Sequence, residues 1–226
     1  MYLNALGRVI ARQPIDEEES IRADMCGLAN QFHSIHVQAI IEPARRQVLS
    51  DHNIRVGDFF NLLSNHRLIP PGREMLVARG LHAGLNGDFL VSTHLLVPQL
   101  EESIRYLLSQ NGVIASALDD SGIQEEIDLN RTLCWSKYTE PLSKMLNEDL
   151  VFELRSLLVE RFGANLRNDM AHGLLDHDSF YSPSSCYLWW LAFRLYSFPV
   201  LARIKLDQAK ATDENQSGPA TDDLVE

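Results

Sequence analysis

Between Phe89 and Leu107 the apolar side chains recur at a spacing that only a helix can use. Phe89, Thr93, Leu96, Leu100, Ile104 and Leu107 stand four, three, four, four and three residues apart. At about 100° per residue they share one helix face, whereas a strand would bring alternate residues together. Asp88 precedes the stripe as an N-cap, Gly112 follows it, and Pro98 is expected to bend the helix between them.

Helical period extends through most of the chain. "RQPIDEEES" reads as a helix start: Pro14 stops anything earlier, Asp16 caps, and Glu17 to Glu19 suit the positive end of the dipole. "SIRADMCGLANQFHSIHVQAIIEPARRQVLS" gives one or two helices, with Pro43 marking a kink or break. A helix opens after the prolines of "PPGREMLVARGLHAG" and closes on Gly84. "NEDLVFELRSLLVERFG" is amphipathic and expected to end at Gly163. The last long helix starts at Ser182–Pro183 and continues to about Leu206, with Leu188, Leu191, Leu195, Phe198 and Ala202 as its stripe. Residues 115–138 are expected to be a loop with short helices. No alternating strand pattern or internal repeat stands out. The expected fold is all-α, an antiparallel helical bundle over 87–206 with an N-terminal helical extension over 21–86. Residues 1–20 form a lead-in, and 207–226 a disordered acidic tail.

The net charge of −11 belongs mostly to the ends: residues 207–226 carry −5 and residues 1–20 carry −2. No overall basic surface is present, so any RNA site must be a local group of arginines. Cys26, Cys134 and Cys186 form no CxxC pair, which points away from a disulfide framework or zinc knuckle and toward a reducing, cytoplasmic setting. No signal peptide is recognisable. "CYLWWLAFRLYSFPVLA" (186–202) is short for a membrane span and carries Arg194 at its centre, so a buried bundle helix is expected.

The densest set of reactive side chains is "ANLRNDMAHGLLDHD" (164–178). Asn165 is placed to cap a short helix whose first turn holds Arg167 and Asn168, where free N–H groups favour an anion such as phosphate. His172 lies one turn beyond Asn168, and Asp169 is three residues from it, within reach to orient the imidazole. Arg167 points roughly 140° away from His172 around the helix. Either the guanidinium curls round the helix start or a second copy supplies the missing half. The competing account of the same residues is a polar network that locks the bundle or its dimer.

Arg167, the polar Asn168 and His172 four residues on resemble the signature of the HEPN superfamily, helical bundles that often dimerise with two such motifs facing one cleft. "GDFLVSTHLLVPQLEESIRYLL", "NLRNDMAHGLL" and "YLWWLAFRL" are similar to an uncharacterised bacterial C-terminal domain-of-unknown-function family in that superfamily, over about 87–200. The resemblance implies a metal-independent endoribonuclease without cofactor, acting as a homodimer in phage-defence or toxin–antitoxin systems, with RNA as substrate and an antitoxin or other defence protein as partner. It assigns catalysis to Arg167, Asn168 and His172, and the spacing adds Asp169 in support. The alternatives are a catalytically inactive module of the same kind, binding RNA, nucleotide or a partner, and a helical scaffold. Arg45 and Arg46 also precede a histidine (His52) at the permitted spacing, but neither is followed by Asn, Asp or His and no helix cap opens there. Leu174 stands where members modified by a partner nucleotidyltransferase carry Tyr.

Other candidates have plainer expectations. Arg194 is expected to be buried and paired with an acid, or to reach phosphate. His177–Asp178 is an "HD" pair but lacks the further His and Asp of a metal phosphohydrolase, so it reads as loop. His33 and His36, three apart on a helix, are expected at the surface or an interface rather than on a metal. His94 is expected beside its helix's apolar stripe, and Trp189 and Trp190 in the core rather than stacked on a base.

Overall fold

The computed structural model describes residues 2–3, 7, 9–11, 16–118 and 124–216, with the side chains of the last helix described to Leu201. The chain is predominantly helical and adds two small antiparallel ribbons. Tyr2–Leu3 (β1) pairs with Val9–Ala11 (β2), and Ser116–Leu118 (β3) with Gln124–Glu126 (β4). Strands this short leave no period-two pattern, which is why the sequence did not announce them.

Helix α1 (Glu17–His36) begins as expected, with Asp16 accepting the Glu19 N–H at 2.8 Å. It passes without a break through a π-helical turn (Val37–Ile41) into α2 (Glu42–Asp51), with Pro43 in the first turn of α2. Pro43 has no N–H for the fourth carbonyl back, and the chain answers by widening the turn before it. The expected break is therefore a single π turn. Helices α3 (Val56–Leu63), α4 (Glu74–Leu85) and α5 (Phe89–Gln110) follow, and Asp88 caps α5 through the Val91 N–H at 3.0 Å.

After β4 come α6 (Leu129–Cys134), α7 (Ser136–Leu146) and α8 (Glu148–Leu158). Helix α8 stops well short of Gly163. The Arg155 carbonyl takes the N–H groups of both Val159 (3.0 Å) and Glu160 (2.9 Å), and the Glu160 carboxylate folds back on the Arg155 guanidinium at 2.9 Å. That side-chain closure ends the helix before the glycine can. Helix α9 (Leu166–Ala171), a 3₁₀ turn (Asp178–Tyr181) and α10 (Pro183–Gln216) complete the fold. Pro183 opens α10 as its position predicts. The helix outruns its expected end near Leu206, because Gln208, Ala209, Lys210 and Ala211 are good helix formers and no glycine or proline intervenes before Gly218. The first half of the segment expected to be disordered is thus helical, and residues 217–226 lie outside the described residues. Among the described residues no helix is long and apolar enough to cross a membrane.

One apolar core joins the N-terminal helices to the rest. Leu63, Val77 and Leu81 pack in the same cluster as Leu96, Leu100, Leu154, Leu157, Leu188, Leu191 and Tyr196. Trp189 is buried, donates its indole N–H to the Leu81 carbonyl at 2.9 Å and lies against Gly84, where a Cβ would overlap its ring. Trp190 is half-buried beside Phe193. Buried Tyr196 hydrogen-bonds Ser103 at 2.9 Å and so ties α10 to α5.

His33, expected at the surface or an interface, is instead buried inside the fold. Buried between α1 and α10, it stacks on Tyr187 at 3.8 Å, with Glu153 at 3.8 Å from its Nε2. Burial, aided by the charge of His36, lowers its pKa to about 4. Between that value and the ordinary 6.5 the unfolded chain binds a proton that the folded chain refuses. Stability is therefore fully present above pH 6.5 and falls as the pH drops toward 4. Urea unfolding at pH 7 and pH 4.5 should show a loss of about 2.5 kcal/mol attributable to this group. The His33→Gln variant should lack that portion of the slope, and an unchanged slope would place the proton elsewhere.

Candidate functional site

The six-residue helix α9 carries all of the motif and is held from three sides. The chain reverses after α8 by donating the Ala164 N–H to the Ser156 carbonyl at 3.0 Å, and it enters α9 through Asn165 in the left-handed region at φ 51°. Asparagine tolerates that backbone better than most residues. Asn165 occupies the N-cap position, but its side chain does not cap the helix. Instead its Nδ2 donates to Asp169 at 3.2 Å and its Oδ1 accepts from Asn168 at 2.8 Å. A helix of one and a half turns has little macrodipole, so the anion site expected at its first turn has no support from the backbone.

Asn168 is the hub. Its amide and that of Asn130 on α6 exchange hydrogen bonds, each at 3.0 Å. Its Nδ2 also serves Asn165, with the Val159 carbonyl further off at 3.4 Å, and its Oδ1 accepts from Arg167 Nη1 at 3.2 Å. Arg167 reaches away from the helix toward α5, where its Nε donates to Glu101 at 3.4 Å. Glu101 also pairs with Arg105 at 3.0 Å and accepts the Leu129 N–H at 3.1 Å at the start of α6. Arg105 in turn holds Glu102 at 2.5 Å. The network thus spans α5, α6 and α9, and its two arginines face two glutamates.

The guanidinium keeps spare capacity. Of the five N–H donors of an arginine, Glu101 and Asn168 take one each, and the side chain remains 22% exposed. His172 is the C-cap of α9, where its backbone N–H donates to the Asn168 carbonyl at 3.0 Å, and the residue is exposed to solvent. Arg167 and Asn168 are therefore brought together and fixed. His172 stands free one turn away.

Asp169, expected within reach of the His172 imidazole, is buried and accepts from Asn165. It anchors the turn into α9. Arg194 is half-buried on α10, over the Phe198 ring at 5.8 Å, and no carboxylate among the described residues forms an ion pair with it. The expected acidic partner is replaced by a cation–π contact, because α10 sets Arg194 and Phe198 one turn apart. His177 and Asp178 are exposed at the 3₁₀ turn, as a loop pair would be. His94 is exposed, its Nδ1 donates to the Leu90 carbonyl at 2.8 Å, and its ring lies beside Phe180. Among the described residues no three His, Cys, Asp or Glu side chains cluster to hold a metal ion.

Two network members, Glu101 and Asn130, escaped the sequence analysis. They lie 66 and 38 residues from their partners on α9, and no local pattern links them. Comparison with family models, with curated proteins and with solved structures gave no match.

Proposed function

We propose that this chain is a HEPN-type endoribonuclease module that cuts RNA at a site completed by a second copy, as part of a defence or toxin system. One observation carries the proposal. A fixed guanidinium with three unused N–H donors and an exposed, unengaged imidazole share one short helix. In the proposed reaction the RNA 2′-oxygen attacks the adjacent phosphorus and the bond to the 5′-oxygen breaks. One His172 takes the proton from the 2′-hydroxyl, and the His172 of the second copy gives a proton to the leaving oxygen. Arg167 stabilises the charge that builds on the phosphoryl oxygens. Asn168 holds Arg167 in place, and Asp169 keeps α9 seated.

A second account draws on a different observation. Glu101 and Glu102 balance Arg167 and Arg105, and the Asn168 amide has no donor left. A network so satisfied also suits a non-cutting module that binds RNA or a partner protein.

Labelled RNA incubated in EDTA separates the two. The ribonuclease account expects His172→Ala and Arg167→Ala each to slow cleavage by about 10² to 10⁴-fold. His172→Ala should melt with the wild type, because an exposed residue contributes within about 0.5 kcal/mol. Mixing the two inactive variants should restore no cleavage, because the reaction draws a His172 from each copy and a mixed pair holds only one. Unequal results, with Arg167→Ala unstable and His172→Ala indistinguishable from wild type in every assay, would favour the non-cutting account.

A further inference from the structure

Helix α1 has two apolar faces, and the more apolar one points outward. Its inner face, against α8 and α10, buries Ala23, Cys26, His33 and, just past its end, Val37. Its outer face carries Ile21, Met25, Leu28, Phe32 and Ile35, each between 48% and 59% exposed. Residues 23 and 25, 26 and 28, and 33 and 35 are two apart, so the stripes lie about 160° from one another. The outer spacing of four, three, four and three is the heptad seam of a two-stranded coiled coil, and Ala39 extends it into the π turn.

We propose that this face pairs with the same face of a second copy, antiparallel, about a two-fold axis between Leu28 and Phe32. In that register Leu28 meets Phe32 of the second copy, Met25 meets Ile35, and Ile21 meets Ala39. Every large side chain of the stripe is covered. The five outer side chains expose on the order of 600 Å², at the upper end of the largest apolar patch on an ordinary monomer. With the exposed Asp24, Gln31, Gln38 and Ala39 beside them, the face approaches the roughly 800 Å² per partner of a stable interface.

Charge selects the direction. The first turn of α1 holds Asp16, Glu17 and Glu18. A parallel pair would lay two such turns side by side, whereas the antiparallel pair separates them by about 40 Å and opposes the helix dipoles. Near the axis the flanking positions are Ala29 and Gln31, which carry no charge. This dimer does not depend on the ribonuclease proposal.

Light scattering after size exclusion should find the full-length wild-type chain dimeric at tens of micromolar. The double variant Leu28→Glu/Phe32→Glu should be monomeric with the same helical circular dichroism, since both side chains point away from the core. In a Cys134→Ser background, cysteine at Ala29 should cross-link copies under mild oxidation and cysteine at Asp24 should not. A monomeric wild type would overturn the proposal, as would a dimer that survives the double substitution or equal cross-linking at both positions. A mass corresponding to one copy plus another protein would identify a different occupant and overturn it too.

Discussion

Alanine at Gly163 is expected to lower the unfolding free energy by at least about 3 kcal/mol and the melting temperature by roughly 10 °C. A Cβ there would overlap the backbone carbonyl oxygen of Ser156 and lie 2.9 Å from its Oγ. Ser156 is fully buried on α8, and its carbonyl already accepts the Ala164 N–H at 3.0 Å. The clash is with backbone, so no rotamer change relieves it. Relief requires the chain after α8 to lift away, which removes that hydrogen bond and shifts the Asn165–Asp169 segment behind it. Gly27, in mid-helix with nothing within 4 Å of an added Cβ, supplies the control. Gly27→Ala should stabilise by up to about 1 kcal/mol through helix propensity. Paired urea titrations give both values, and a Gly163→Ala protein as stable as wild type would mean that the reversal after α8 is not close-packed.

Asn168→Asp should be the most damaging isosteric change in the motif, at about 3 kcal/mol, and worse than Asn168→Ala at about 2 kcal/mol. The Nδ2 of Asn168 faces Asn165 Oδ1 at 2.8 Å and Asn130 Oδ1 at 3.0 Å, with the Val159 carbonyl at 3.4 Å. An aspartate puts an anionic oxygen against three acceptors and leaves the Asn165 oxygen without its donor. Arg167, on the other side of the group, offsets part of this through its contact to Oδ1. Alanine removes the same bonds but adds no repulsion. If Asp proves milder than Ala in thermal melts, the amide orientations at the hub are reversed. The same ranking should not hold at His172, where nothing packed depends on the side chain.

Long helices were legible because one period governs many residues. The stripe from Phe89 to Leu107 and the Asp88 cap are both in place on α5, and Pro183 starts α10 where its missing N–H does least harm. Helix ends were less legible, since they depend on side chains that fold back. Glu160 stops α8 before Gly163 through Arg155, and the π turn before Pro43 turns an expected break into a continuation. On α1 the period alone could not say which stripe faces in. Ile21, Met25, Leu28, Phe32 and Ile35 are the more apolar set, yet Ala23, Cys26 and His33 are buried. At the motif, the separation of Arg167 from His172 followed from helix geometry. The counter-charge on Arg167 did not, because Glu101 reaches it only through the packing of α5 beside α9.

The most direct test of the proposed chemistry is the 3′ end left on RNA after incubation with the purified chain in EDTA, read by mass spectrometry. Wild-type protein should leave 2′,3′-cyclic phosphate, a substrate with 2′-deoxyribose at the cut position should remain whole, and His172→Ala should yield no such product while melting with the wild type. Intact RNA in the wild-type reaction, or cyclic-phosphate ends produced equally by His172→Ala, would contradict the assignment of Arg167 and His172 as an RNA-cleaving pair.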